Sequence, residues 1–337
     1  QYYGEFIFPM KIGILGAGSW GTTLAIILSP KSETVYLWSH RRAAEISARR
    51  ENVRYLPGVR LPENIEITGN LDDIAELDLS FLFFVIPAQY LRSVVKKFNW
   101  HYKRPPIVVS AVKGIEERTF KRPSEILREY LPIKHPVVLG GPTIANEIVR
   151  GLPTAIVCAS EDESLAYAVQ QLLNSHHLRA YRHTDVVGVE LASALKNIIA
   201  IAAGIVQGLS LGANALGALL TRGLTEIRRF GVAHGARAET FSGLAGIGDL
   251  ITTAVSSFSR NRYVGVEIGR GKKLSEILSN MVMVAEGIWT TRSVLGMADA
   301  LGITMPITRE VYAILFEDKP PATAIEALMA RDLKLED

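Results

Sequence analysis

"KIGILGAGSWGTTLAIIL", Lys11 to Leu28, reads as a strand, a glycine turn and a helix in direct succession. The opening "KIGIL" is short and apolar, as a buried strand is, and "TTLAIIL" carries a helical pattern. Between them Gly16, Gly18 and Gly21 stand at the G-x-G-x-x-G spacing. That spacing alone is common, but between a strand and a helix it has a mechanism. Gly16 permits the tight turn, Gly18 lets backbone approach a pyrophosphate, and Gly21 lets helix pack on strand. The helix N-terminus then attracts the phosphates. The stretch predicts a dinucleotide-binding domain.

The pattern continues outward from it. "MKIGIL", "TVYLW", "LSFLFFVI", "PIVVSAV", "PVVLGG" and "TAIVCAS" are short and mostly apolar on both faces. Strands of a parallel sheet covered by helices read this way. Helical candidates Thr22–Leu28, Tyr90–Phe98, Ser124–Tyr130 and Ser164–Leu173 lie between them. The alternation predicts an α/β, doubly wound, Rossmann-type sheet with right-handed crossovers. Beyond Thr184 only helical patterns remain: Val186–Gln207, Ala213–Phe230, Ala238–Phe241, Lys273–Leu278, Thr290–Leu301 and Ile307–Phe316. Two domains follow, a dinucleotide-binding domain over 10–184 and an all-α substrate domain over 185–337. Ligand is expected where motifs from both converge. "QYYGEFIFP", the first nine residues, fits no element.

Composition narrows the function classes. A chain of 337 residues, 48% hydrophobic, can bury a sizeable core. The formal charge of +3 comes without a basic block or aromatic-interleaved stripe, which argues against nucleic acid. Lys196 and Asn197 interrupt the best apolar run, so no membrane span is expected. No secretory signal pattern opens the chain. The single Cys158 excludes an internal disulfide, fits a reducing cytoplasm, and reads as core within "TAIVCAS". The histidines show no metal-ligand spacing, so no metal site is expected.

Several short motifs carry candidate chemistry. The second strand ends in "LWSHRR", where an NAD site usually has an acid for the ribose 2′-hydroxyl. His40, Arg41 and Arg42 instead form a cationic cluster suited to a 2′-phosphate, favouring NADP(H) over NAD(H). A solvated helix start is the alternative. "SAVKGIE" and "GGPTIANEI" place Lys113, Gly141 and Thr143 beyond strand ends, where such folds bind ligands. In the second half, Asp249 of "GLAGIGDLITT" is either a helix cap or a site carboxylate. "SSFSRNRYVG" lines up Ser259, Arg260 and Asn261, a donor set for phosphate or a polar surface loop. Glu286 in "MVAEG" looks like a loop residue.

"LASALKNIIAIAAGI", Leu191 to Ile205, poses the sharpest question. Lys196 is the only charged residue between Glu190 and Arg222. Snorkelling to a helix edge is one answer. Its neighbours at helical spacing, Ala192, Ser193, Ile199 and Ala200, do not mark an exposed polar face. A desolvated lysine is an effective proton donor to a forming alkoxide, and a carboxylate such as Asp249 would hold it charged and oriented.

Taken together, "GAGSWGTTLA", "LWSHR", "VKGIE", "GGPTIANEI", "VELASALKNIIAIAAGI", "GANALGALLTRGLTEI", "GLAGIGDLITT", "SFSRNRYVG", "VAEG" and "MPIT" resemble the bacterial NAD(P)H-dependent glycerol-3-phosphate dehydrogenases. The resemblance covers essentially the whole chain from Met10. It implies reversible hydride transfer between dihydroxyacetone phosphate and sn-glycerol 3-phosphate, which supplies phospholipid biosynthesis. By that resemblance Lys196 is the proton donor and acceptor, with Lys113 and Asp249 shaping the charge around it. Ser19, Trp20 and His40 match cofactor contacts, with Arg41 beside them, and Lys113 matches a residue touching both cofactor and substrate. Gly141, Thr143, Asp249, Ser259, Arg260 and Asn261 match substrate contacts; Ala145, Arg260, Val284 and Glu286 match the cofactor side. A cytoplasmic homodimer is implied. Ala285 and Ala254 depart from the family's usual residues without removing a charge or donor. A hydroxyacid dehydrogenase of the same plan, with a carboxylate opposite Arg260, and a non-catalytic NADP-binding sensor are the competing readings.

Overall fold

Phe81 and Phe83 belong to one buried cluster and Leu82 and Phe84 to another, so one short strand feeds two cores. That alternation follows from the two-residue period of a strand and requires cover on both faces. The computed structural model describes residues 10–281, 283–333, 335 and 336; the opening nonapeptide lies outside them. The strands are β1 (Lys11–Leu15), β2 (Thr34–Trp38), β3 (Ile65–Thr68), β4 (Phe81–Phe84), β5 (Ile107–Ser110), β6 (Val137–Gly140), β7 (Thr154–Ala159) and β8 (Leu178–His183). They form one sheet of 8 strands in the order β3-β2-β1-β4-β5-β6-β7-β8. The order reverses between β1 and β4, the point outside whose carboxyl ends ligands bind in doubly wound sheets.

Three features differ from the sequence expectation. β6 and β7 pair antiparallel, with Leu139 opposite Cys158. Their connection holds only the short helix Ala145–Ile148 and turns back at Gly151, whose φ is +73°. β3 and β8 were not anticipated because they are the sheet edges. "IEIT" and "LRAYRH" carry charge on an exposed face, so neither shows the doubly apolar run that marks the inner strands.

Helices on this sheet are α1 (Ser19–Leu28), α2 (Ala43–Arg49), α3 (Asp72–Ala75), α4 (Ala88–Val95), α5 (Pro123–Tyr130), α6 (Ala145–Ile148) and α7 (Glu163–Leu173). The rest of the chain is helical: α8 (Val186–Gly208), α9 (Gly212–Ala233), α10 (Asp249–Val255), α11 (Arg260–Gly269), α12 (Leu274–Ser279), α13 (Glu286–Ala300), α14 (Pro306–Phe316) and α15 (Pro321–Met329). The chain divides into two compact units, residues up to Lys113 with Lys121–Glu190, and Gly114–Phe120 with Leu191 onward. α10, α11 and α15 were not anticipated; at 7, 10 and 9 residues they are too short to repeat an apolar stripe clearly. Cys158 is fully buried, and burial pushes its thiol up to about 12, which makes it inert core.

α8 is long and apolar enough, by length and composition, to cross a membrane, contrary to the expectation that Lys196 and Asn197 break the run. Its apolar window is 94% buried inside the protein, so its hydrophobicity is used for internal packing. Against it lies α11 at backbone contact. A Cβ on Gly204 would stand 2.1 Å from the Arg262 carbonyl oxygen, and one on Gly265 would stand 1.9 Å from that of Ile201. Gly208 and Gly269 repeat the contact one turn on, at 2.4 Å and 2.7 Å from Val266 and Ile205 oxygens. Only glycine fits at these positions.

Glu226 of α9 closes the N-terminus of α14. Its carboxylate accepts from the backbone N–H groups of Ile307 at 2.5 Å and Thr308 at 3.1 Å, and from Thr308 Oγ1 at 3.2 Å. Burial outweighs those bonds and pushes this carboxyl up to about 7. The folded state therefore holds the proton more tightly than the unfolded chain does. The stabilisation is complete below about pH 4.5, the unfolded value, and is lost as pH rises through about 7. Chemical denaturation at pH 5 and pH 8 should show wild-type stability dropping by up to about 3 kcal/mol more than that of Glu226→Gln, which keeps one of the two acceptor oxygens and loses the titration. Equal pH slopes in the two proteins would contradict this role.

Candidate active site

The glycine turn is built as its mechanism requires. Gly16 has φ +123°, and a Cβ there would meet the Val85 carbonyl oxygen at 2.3 Å. At Gly21 a Cβ would meet the Gly16 carbonyl oxygen at 1.8 Å, so helix and turn touch backbone to backbone. A Cβ on Gly18 would meet nothing within 4 Å among the described residues, which leaves that side of the turn open to a ligand. Gly18 is the N-cap of α1 and no side chain caps the helix, so the first-turn N–H groups of Ser19 and Trp20 are available to an anion. The residues present fit a dinucleotide pyrophosphate.

Beyond β2, His40 and Arg41 are exposed, and the His40 ring lies 5.8 Å from that of Trp38. Arg42 is committed to Glu45 at 2.5 Å. Of the three residues, Arg41 thus presents its charge and His40 its ring at the strand end. Beyond β5 and β6, Lys113 Nζ donates to the Gly141 carbonyl at 3.2 Å and lies 3.5 Å from Thr143 Oγ1. Gly141 reaches this place with φ +103°. Ala145 begins the short helix that follows. Lys113, Gly141 and Thr143 therefore form one cluster, as their positions after adjacent strands predict.

In the helical unit Lys196 is 5% exposed, and Ala192, Ser193, Ile199 and Ala200 around it are all buried. Snorkelling is ruled out. Its ammonium donates to Asp249 Oδ1 at 2.5 Å and to Thr253 Oγ1 at 2.7 Å. Asp249 is not a cap: it is 2% exposed and turns its carboxylate to the lysine. This charge partner compensates an ammonium whose burial would otherwise cost several kcal/mol. Thr253 was missed from sequence, although it stands one helical turn from Asp249 on the same face of α10.

Asn197, noted only as a second polar residue, is a structural link. Its Oδ1 accepts from Asn261 Nδ2 at 2.9 Å, and Asn261 Oδ1 accepts from the Gly287 N–H at 2.9 Å. That chain joins α8 to the starts of α11 and α13. Ser259 caps α11, its hydroxyl accepting from the Arg262 N–H at 3.2 Å, and Arg260 at the first helical position is exposed. "SRNR" is thus a helix N-terminus and not a loop. Glu286 likewise opens α13 after Ala285 and Val284, where a loop was expected. Asn261 sits with its amide largely engaged, while Arg260 and Ser259 stand at the positive end of a helix.

A doubly wound sheet with an open glycine turn, joined in one chain to a helical unit with a buried lysine–carboxylate pair, defines a nicotinamide-dependent dehydrogenase. Comparison with known proteins gives the family. The N-terminal and C-terminal models of NAD-dependent glycerol-3-phosphate dehydrogenase match residues 11–166 and 185–326. A glycerol-3-phosphate dehydrogenase (NAD(P)+) of Syntrophotalea carbinolica is 47% identical over 332 residues, 97% of this chain and 99% of that protein. The crystal structure of glycerol-3-phosphate dehydrogenase from Coxiella burnetii is 35% identical, with a TM-score of 0.92, covering 96% of this chain and 99% of that one. The yeast enzyme structure matches at 27% identity and a TM-score of 0.80 over 95% of this chain and 99% of that one. The chain belongs to the NAD-dependent glycerol-3-phosphate dehydrogenase family.

Proposed function

We propose that the protein catalyses the reversible reduction of dihydroxyacetone phosphate to sn-glycerol 3-phosphate, supplying phospholipid biosynthesis. The observation that carries the mechanism is the buried ammonium of Lys196 held by Asp249 and Thr253. A reduced nicotinamide, NADPH or NADH, supplies a hydride when bound. Lys196 polarises the C2 carbonyl and donates the proton that the developing alkoxide takes, an electrostatic stabilisation worth about 3 kcal/mol. Asp249 and Thr253 fix the ammonium's position, so no reorganisation is needed as charge develops. In the reverse direction the neutral amine accepts the hydroxyl proton.

Gly16, Gly18, Ser19, Trp20 and Gly21 would hold the cofactor pyrophosphate, and His40 and Arg41 the 2′-phosphate of NADP(H). Ala145, Val284 and Glu286 would complete the cofactor side. Lys113, Gly141 and Thr143 would bind substrate oxygens. Ser259 and Arg260, with the second Nδ2 hydrogen of Asn261, would grip the substrate phosphate at the start of α11, using remote binding energy to orient C2. The protein would work as a cytoplasmic homodimer, in keeping with its family.

Arg260→Ala tests the substrate assignment. The KM for dihydroxyacetone phosphate should rise about 100-fold, since a charge-assisted bidentate contact is lost, with kcat changed far less. Unphosphorylated dihydroxyacetone should be turned over equally poorly by both proteins. An unchanged KM would move the phosphate site away from α11. Faster turnover of small 2-oxo acids than of dihydroxyacetone phosphate by the wild type would favour a hydroxyacid dehydrogenase instead.

A further inference from the structure

Asn52 lies in "ENVRYLPG", a loop that no step above uses. It is wholly buried, and its Nδ2 donates to the Ala17 carbonyl at 2.9 Å and to Thr22 Oγ1 at 2.8 Å. Those partners flank the open turn on both sides: Ala17 precedes Gly18, and Thr22 lies one turn into α1. Asn52 is itself anchored, its own carbonyl accepting from the N–H groups of Tyr55 at 3.2 Å and Leu56 at 2.8 Å. Its Oδ1 makes no hydrogen bond to any described residue. A residue placed there for packing alone would be apolar, because an unpaired buried amide oxygen is costly.

Peptide geometry shows what that cost secures. In a trans peptide the C=O and N–H point in opposite directions. Holding the Ala17 carbonyl toward Asn52 therefore turns the Gly18 N–H away from Asn52. We propose that Asn52 is a positioning residue, which presets the Gly18 N–H and the first turn of α1 to receive a diphosphate. This rests on the reading of the glycine turn as the cofactor pyrophosphate site. The amide orientation is set by chemistry: the Ala17 carbonyl can only accept, so only the Nδ2 end can face it.

Asn52→Asp is the sharpest test, because it keeps the shape and sets a carboxylate oxygen against the Ala17 carbonyl. The KM for the reduced cofactor should rise about 100-fold, and the competitive inhibition constant of ADP by a similar factor. Inhibition by adenosine, which lacks phosphate, should not change, nor should kcat at saturating cofactor or the KM for dihydroxyacetone phosphate. If Asn52→Asp does not fold, Asn52→Ala carries the same test with a rise of about tenfold. A cofactor KM unchanged in a folded variant overturns the positioning role. So does a parallel weakening of ADP and adenosine. Wild-type protein that ADP does not inhibit overturns the pyrophosphate reading itself, a failure seen before any variant is made.

Discussion

Lys196→Ala should lower kcat by about 10³-fold while the dissociation constant of the reduced cofactor stays within about twofold. General acid catalysis by a placed group is worth this much, and the ammonium is the group that the helical unit buries and pairs. The variant has a second consequence. It takes the Lys196 ammonium away from the Asp249 carboxylate, itself 2% exposed, at a cost of about 3–5 kcal/mol in stability. The double variant Lys196→Met with Asp249→Asn separates the two effects. With both charges gone, most of the stability should return while activity stays absent. A double variant that regained turnover would remove Lys196 from the chemistry.

Gly265→Ala should destabilise the protein by about 3 kcal/mol or more, against the ordinary gain of about 1 kcal/mol for this change inside a helix. The sign reverses because the new Cβ would stand 1.9 Å from the Ile201 carbonyl oxygen, a backbone atom with no freedom to move aside. Gly217→Ala in α9 is the control, since nothing lies within 4 Å of its Cβ position, and it should be neutral or stabilising. Thermal and chemical denaturation of the two variants read the difference directly. Surviving Gly265→Ala protein should also bind substrate phosphate more weakly, because α11 carries Arg260 and is seated on α8 through these glycines. Equal stability of the two variants would contradict the backbone contact.

The glycine turn, the inner strands and the lysine were legible because each breaks a local rule or repeats a strong period. Gly16 and Gly21 stand where any Cβ would strike a carbonyl, and Phe81–Phe84 is apolar on both faces. Lys196 stood out as the one charge in an apolar run, and the structure buries that run with the lysine included. The edge strands β3 and β8 were missed because one face of each is solvated and mixed in charge. α11 was misread because its glycines, needed for contact with α8, weaken the helical signal they serve. Their four-residue spacing in both "GIVQG" and "GVEIG" was nevertheless visible. Thr253 and Asn52 left little mark in sequence, since each acts through one hydrogen bond or two to a residue far along the chain.

The proposed role of Lys196 is to couple a nicotinamide to dihydroxyacetone phosphate. Its most direct test is the steady-state oxidation of NADPH and NADH by the purified protein, with dihydroxyacetone phosphate, unphosphorylated dihydroxyacetone and a small 2-oxo acid supplied in parallel. Rapid oxidation is expected only with dihydroxyacetone phosphate, and it is lost in Lys196→Ala. Absence of turnover with dihydroxyacetone phosphate and either cofactor, in protein shown to be folded, would contradict that role.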